Sequence, residues 1–322
     1  MNPASPHSLG LALGSGAARG LAHIGVLKVL AAEEIAIDCI AGTSIGAFIG
    51  ALHAAGTPIE RMEEVARNVD WRQLARLIGT SLPTYSLLDG RKVDRFISEL
   101  LPVQNFEDLH IPLAITTTDV ETGEQLVIRQ GGLAEALRAA LAFPGIFPPV
   151  QVGQRFLVDG GLVNPVPVDV ARTLGASRVI GVCAIPEVEK RPTDTSLSLN
   201  NQRNGKKHLL SAFTSGGVER LFREIWPGSD REETVTEDHA RKPPNILQVC
   251  AQSIAIMENE INALRLSRYD ADLLIRPDLN GVNLLEFHRA DEIIEAGVRA
   301  TLQSVEKLRA LAEGNCRTQA LC

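Results

Sequence analysis

Cysteine is scarce in this chain and unpaired in its spacing. Only 5 occur among 322 residues, Cys39, Cys183, Cys250, Cys316 and Cys322. Scattered and odd in number, they offer no disulfide framework and no zinc site, and they suit a reducing compartment. Positive charge is short as well. At a net charge of −7 the chain lacks the basic footprint of a general nucleic-acid binder. It lacks equally a means of electrostatic adhesion to anionic membranes, so any lipid contact would be apolar and local. Met1 to Ser8 carry neither a basic stretch nor a long apolar core, so no signal peptide is evident. No uncharged apolar run reaches membrane-spanning length. These absences point to a cytoplasmic protein and leave peripheral contact at the inner face of the membrane open. There is no internal repeat, and no linker that would separate two cores.

What is present is a chain able to bury a sizeable core, with 45% hydrophobic and 22% charged residues, as one large α/β domain. It is organised around Gly42-Thr43-Ser44-Ile45-Gly46. Ile37, Cys39, Ile40 and Ala41 read as a short buried strand before it, and Ile45 to Ala55, apolar and free of proline, as a helix after it. Gly-x-Ser-x-Gly between strand and helix is the nucleophile-elbow pattern. The glycines Gly42 and Gly46 relieve crowding at a sharp turn, and Ser44 sits at the positive end of the helix dipole. Taken alone, the same motif also describes a tight turn with a capping serine.

Upstream, Leu9–Leu13 reads as a strand running into the loop Gly14-Ser15-Gly16-Ala17-Ala18-Arg19-Gly20, with a helix over Leu21–Glu34. A strand, a glycine-rich loop and a helix in succession aim backbone N–H groups at an anion. A Walker-type loop would end Gly-Lys-Ser/Thr, and this one ends Arg19-Gly20-Leu21. A dinucleotide fingerprint would need one residue fewer between Gly16 and Gly20. Glycine spacing varies among nucleotide binders, so that reading stays open beside a third, an oxyanion hole served by the N–H groups of Gly16 and Ala17.

Further along, helices are expected over Ile59–Val69 and Arg91–Leu101 as cover for the sheet. Pro112–Val120 and Gln125–Arg129 read as a hairpin about Thr122-Gly123, and Leu133–Phe143 as a helix ended by Pro144-Gly145. Ile146-Phe147-Pro148-Pro149 makes a rigid loop. Arg155–Val158 is a strand leading to Asp159-Gly160-Gly161, where two glycines keep the carboxylate uncrowded. Val166–Leu174 is helical and Arg178–Ile185 a buried strand. At 187–244 the composition turns polar, which reads as a partly disordered insertion. Within it, Val218, Leu221, Phe222, Ile225 and Trp226 share one helix face, either docked on the core or forming a lid or lipid-contacting element. Ile246–Leu266 is a helix, Ala271–Arg276 a strand, and Arg289–Glu313 one long helix with the stripe Ile293, Ile294, Val298, Leu302, Val305 and Leu308.

Ester hydrolysis by a serine needs a nucleophile, a base and oxyanion donors. Ser44, Asp159 and the loop at Gly14–Gly20 can supply them. Among 7 histidines, His7, His208 and His239 fall at a terminus or in the insertion, His110 in a loop, and His23 and His53 inside helices. His288 would complete a Ser, acid, His order, but it stands at the entry to the last helix.

The four blocks Gly14–Gly20 with His23-Ile-Gly-Val-Leu-Lys28, Gly42–Gly46, Phe143-Pro-Gly-Ile-Phe-Pro-Pro149 and Asp159-Gly160-Gly161, taken together and in this order, resemble the patatin-like phospholipases. The likeness is nearest to bacterial members akin to neuropathy target esterase. The resemblance implies a three-layer α/β sandwich with a mixed central sheet between helices, in a single domain over 1–322. It also implies a Ser–Asp dyad without histidine at Ser44 and Asp159, oxyanion donors at Gly16 and Ala17, and Arg19 holding the loop's shape, with Gly14, Ser15 and Gly20 in support. Ser15 and Ala17 stand where the family often has glycine, and both keep a backbone N–H. No metal or organic cofactor is required. The substrate would be a lipid or other acyl ester, with acyl transfer or a catalytically silent lipid-binding module as the alternatives.

Overall fold

In the computed structural model, residues 8–68, 90–186 and 246–313 are described. The segment expected as an insertion at 187–244, with its apolar stripe, lies outside the described residues. The chain falls into two units, with boundaries after Pro186 and after Ser253. Of the second unit, only 246–253, the start of one helix, is described.

The main unit is built on a mixed sheet. Its strands are β1 (Leu9–Leu13), β2 (Cys39–Thr43), β3 (Leu113–Asp119), β4 (Gln125–Ile128), β5 (Val150–Val152), β6 (Arg155–Asp159), β7 (Arg178–Val182) and β8 (Leu273–Ile275). Pairing runs β5–β6–β3–β2–β1–β7–β8, with β4 on β3. The links β3–β2–β1–β7–β8 are parallel. Those of β3 with β4 and β6, and of β6 with β5, are antiparallel.

Parallel strands covered on both faces need apolar side chains on both, and here the two faces differ in size. Leu11 and Leu13 of β1, Ile40 of β2, Ile115 of β3 and Ile180 of β7 enter the larger core. Ala12, Cys39, Ala41, Ala114 and Val179 alternate onto the smaller one. Alternation of side chains along a strand makes this division. Over the large face lie α1 (Ala22–Ala32), α2 (Ile45–Ala54), α3 (Ile59–Asn68), α4 (Gly90–Leu100) and α5 (Leu133–Ala140). α6 (Val168–Thr173) packs on the small face. There it is joined by Leu266, from the part of α7 (Ile246–Arg268) that belongs to the main unit.

The last helical stretch differs from expectation. In place of one helix over Arg289–Glu313 there are two, α8 (Ala290–Leu302) and α9 (Val305–Ala312), separated at Gln303-Ser304. A tight turn at Ser304, whose N–H bonds Thr301 O at 2.9 Å, redirects the chain. Leu302 is left 50% exposed, while Leu308 and Leu311 are buried. Thr301 is buried in its stead, its hydroxyl donating to Gly297 O at 2.7 Å. The three-residue β5 was not anticipated. Two of its three residues are exposed, so it shows no hydrophobic period.

Candidate active site

Ser44 caps the N-terminus of α2 with φ 55° and ψ −127°, a left-handed conformation that costs a residue bearing a side chain about 1–3 kcal/mol. The turn is sharp enough that a Cβ on Gly42 would collide with the Ala47 backbone, and one on Gly46 with the Leu13 carbonyl. The two motif glycines are therefore required by close approach, and the strain is concentrated on the serine between them.

β3 decides what meets Ser44. Thr116 pairs with Thr43 on one flank and Val127 on the other, while Thr117 pairs with Asp159 and Leu126. β2 and β6 thus lie end to end on the same flank of β3, and their C-terminal residues abut. Ser44 Oγ donates to Asp159 Oδ2 at 2.6 Å. The other carboxylate oxygen, Oδ1, accepts the Gly161 N–H at 2.8 Å. The strand fixes the backbone here as well, with Thr118 Oγ1 donating to Asp159 O at 2.9 Å. Ser44 is 8% and Asp159 2% exposed. Burial pushes the Asp159 carboxyl up to about 6, against the hydrogen bonds from Ser44 and Gly161, which pull the other way. A carboxylate of that affinity is a better base than an ordinary aspartate and is still ionised at neutral pH.

The loop after β1 presents a selective set of amides. Gly14 N–H is committed to Val182 O, Ser15 N–H to Pro165 O, Ala18 N–H to Leu284 O and Arg19 N–H to Gly16 O. Among the described residues, the N–H groups of Gly16 and Ala17 have no partner. Ala17 holds φ 50°, so this loop too carries strain on a non-glycine residue. Arg19 Nε donates to Val282 O at 2.7 Å, tying the loop to the segment before α8. Gly20 packs on α2, where a Cβ would collide with Ile45, and Gly14 leaves no room for a Cβ beside Val182 O and Val166. Gly160 does the same job beside Asp159, since a Cβ there would come within 2.5 Å of Thr116 O.

His288 is exposed and His110 likewise, and His53 is half-buried. Among the described residues, the Ser44 hydroxyl is bonded by Asp159 alone. His7, His208 and His239 lie outside the described residues. His23 is fully buried, donating from Nε2 to Gly14 O at 2.8 Å. Burial pushes this imidazole down to about 4, so it is a neutral strut under the loop. From the sequence it is placed only inside a helix.

A second omission is α7. Its residues Glu258, Asn262 and Arg265, spaced four and three apart, form a polar face toward the loops of the main unit. Asn262 Nδ2 donates to Cys183 Sγ at 3.2 Å. Arg265 donates to Val163 O at 3.0 Å and to Gln125 Oε1 at 3.0 Å, holding the segment that follows Asp159. The available signal was a helical period of polar residues in a stretch read only as a helix.

Residues 11–172 match the family model described as patatin-like phospholipase. Over 92% of this chain and 91% of the relative, it is 30% identical to an uncharacterized NTE family protein of Mycobacterium tuberculosis. Lysophospholipase nte1 of Aspergillus fumigatus is 28% identical over 94% of this chain and 18% of its own length. Patatin-like phospholipase domain-containing protein 6 of Homo sapiens is 35% identical over 55% of this chain and 13% of its own. The crystal structure of VipD from Legionella pneumophila superposes with a TM-score of 0.52 over 97% of this chain and 68% of that one, at 12% identity.

Proposed function

The chain belongs to the patatin-like phospholipase family, and from that premise we propose that it is a serine esterase, a lipid acyl hydrolase cleaving acyl esters of phospholipids or lysophospholipids through Ser44 and Asp159. The observation that carries the reading is the 2.6 Å hydrogen bond from a strained, buried Ser44 to a buried carboxylate. In the first half-reaction Ser44 Oγ attacks the acyl carbonyl as its proton passes to Asp159 Oδ2. The carbonyl oxygen becomes an oxyanion facing the free N–H groups of Gly16 and Ala17, where each donor is worth roughly 10²–10³ in rate. The ester C–O bond then breaks, and the leaving alkoxide takes the proton from Asp159. In the second half, water gives a proton to Asp159 and its oxygen attacks the acyl-serine. Collapse releases the fatty acid and returns the proton to Ser44. The helix dipole of α2 favours the negative charge in both halves.

The lysophospholipase name borne by the Aspergillus relative supports a lysophospholipid among the substrates. No helix among the described residues is long and apolar enough to cross a membrane. The test is labelling by a fluorophosphonate probe, together with release of fatty acid from a lysophospholipid panel. Both should occur in the native chain and vanish in Ser44→Ala. A folded native chain that neither labels nor hydrolyses would replace this reading with a silent lipid-binding module.

A further inference from the structure

The dyad leaves a second buried carboxyl unused. Glu258, on the part of α7 that belongs to the main unit, is 7% exposed. Among the described residues its carboxyl has neither a hydrogen bond nor an ion pair. It stands against Gly161, the residue whose N–H holds Asp159 Oδ1. A Cβ at Gly161 would collide with Glu258 Oε1 and would lie 3.2 Å from Asp159 Oδ1 and 3.3 Å from Ser15 Cβ. The second carboxyl, the base of the dyad and the loop bearing Gly16 and Ala17 therefore meet around one glycine. Ser15 Oγ, on that loop, is itself buried without a partner among the described residues.

The charges facing Glu258 come from two directions. Asp159, at the end of β6, repels a second negative charge, and Arg19, on the loop after β1, attracts it. Arg19 also feels Glu286, so its field is shared. On α7 itself, Asn262 and Arg265 are engaged elsewhere.

We propose that Glu258 is a positioning residue of the dyad, a neutral carboxylic acid while the enzyme works, held between Asp159 and the oxyanion loop, whose ionisation opposes catalysis. The inference rests on Ser44 and Asp159 acting as proposed above. Burial and the Asp159 charge together outweigh Arg19 and push the Glu258 carboxyl up to about 8. Asp159 ionises first, at about 6. Between those values the site holds one negative charge, which moves from Asp159 to the substrate oxygen as the tetrahedral intermediate forms. A second anion beside the loop repels that oxyanion and pulls Arg19 away from Val282 O. Glu258 makes and breaks no bond in this account.

The experiment is the pH profile of kcat/KM on a short-chain p-nitrophenyl ester and of the fluorophosphonate labelling rate, with circular dichroism at each pH. It is run on the full chain as native protein, Glu258→Gln and Ser44→Ala. The native profile should be bell-shaped, rising through about pH 6 and falling through about pH 8. Glu258→Gln should keep the acid limb and lose the alkaline one, giving about tenfold more activity than the native chain near pH 9. A native profile flat to about pH 9.5 overturns the proposal without any variant. A folded Glu258→Gln chain that retains the native alkaline limb overturns it as well. Should Ser44→Ala still hydrolyse and label, the dyad itself is wrong. If that variant is inactive while the alkaline limb persists in Glu258→Gln, only the role of Glu258 falls.

Discussion

The crossing of α1 and α8 and the turn at Ser44 both depend on glycine, for opposite physical reasons. At the crossing, a Cβ on Gly25 would collide with Ile294 O, and one on Gly297 with Ala22 O. The two helix backbones touch there among Val26, Ile293 and Ala296, all buried and apolar. No residue of that contact has a positive φ, and its gain is dispersion and removal of apolar area from water. At the elbow the glycines make room for groups that destabilise the fold. These are two non-glycine residues at positive φ, Ala17 and Ser44, the unpartnered Ser15 hydroxyl, and two buried carboxyls, Asp159 and Glu258. Stability concentrates in the first region and the proposed chemistry in the second, and substitutions should separate the two.

The largest effect expected is on turnover. Ser44→Ala and Asp159→Asn should each lower kcat/KM about 10⁴-fold or more, since the proposed nucleophile and base would act as a unit, with the circular dichroism spectrum unchanged. A residual rate near the native one in either folded variant would break the division at its catalytic end.

The next concerns stability, with the sign reversed. The Asp159 pKa rises on folding from 3.8 to about 6. The folded chain therefore binds this proton more tightly, and the stability it contributes is full below about pH 4 and is lost as pH rises through about 6. At pH 7 the ionised form costs up to about 3 kcal/mol. Asp159→Asn should thus be more stable than the native chain at pH 7, and this advantage should shrink on acidification. Urea unfolding at pH 7 and pH 4 measures both; equal native and variant midpoints at pH 7 would remove the strain from the site.

At the helix crossing the expectation runs the other way. Gly297→Ala should lose about 1–3 kcal/mol through overpacking, while the folded fraction labels with a fluorophosphonate at the native rate. Thermal unfolding beside active-site titration tests this, and an unchanged melting temperature would deny the close approach. The smallest effect belongs to His288→Ala, which should keep kcat/KM within about twofold, because the residue is exposed and the proposed dyad assigns it no role. A large loss in that variant would replace the dyad with a triad.

The strands of the sheet were legible because β1, β2, β3 and β7 are apolar runs bounded by turn-formers, and the hairpin because Thr122-Gly123 separates two such runs. The division of the last helix was not, since Leu302 continues the apolar period that the turn at Ser304 abandons. Glu258 escaped notice because burial of a carboxylate is set by what packs on it. His23 falls on a helix like any other, and its bond to Gly14 O depends on the fold of the loop beneath it.

By itself the sequence determined that a serine stands between two glycines at the head of a helix, and that two amides follow a strand in a glycine-rich loop. Local sterics and hydrogen bonding along neighbouring residues suffice for that. Only the tertiary structure decided which carboxylate the serine meets. Thr116 and Thr117 seat Thr43 and Asp159 in succession on one flank of β3, bringing together residues 115 positions apart in the chain. The proton affinity of that carboxylate was decided at the same level. It depends on the water excluded when β3, α7 and the loop close around Asp159, and exclusion of water is a property of the packed chain.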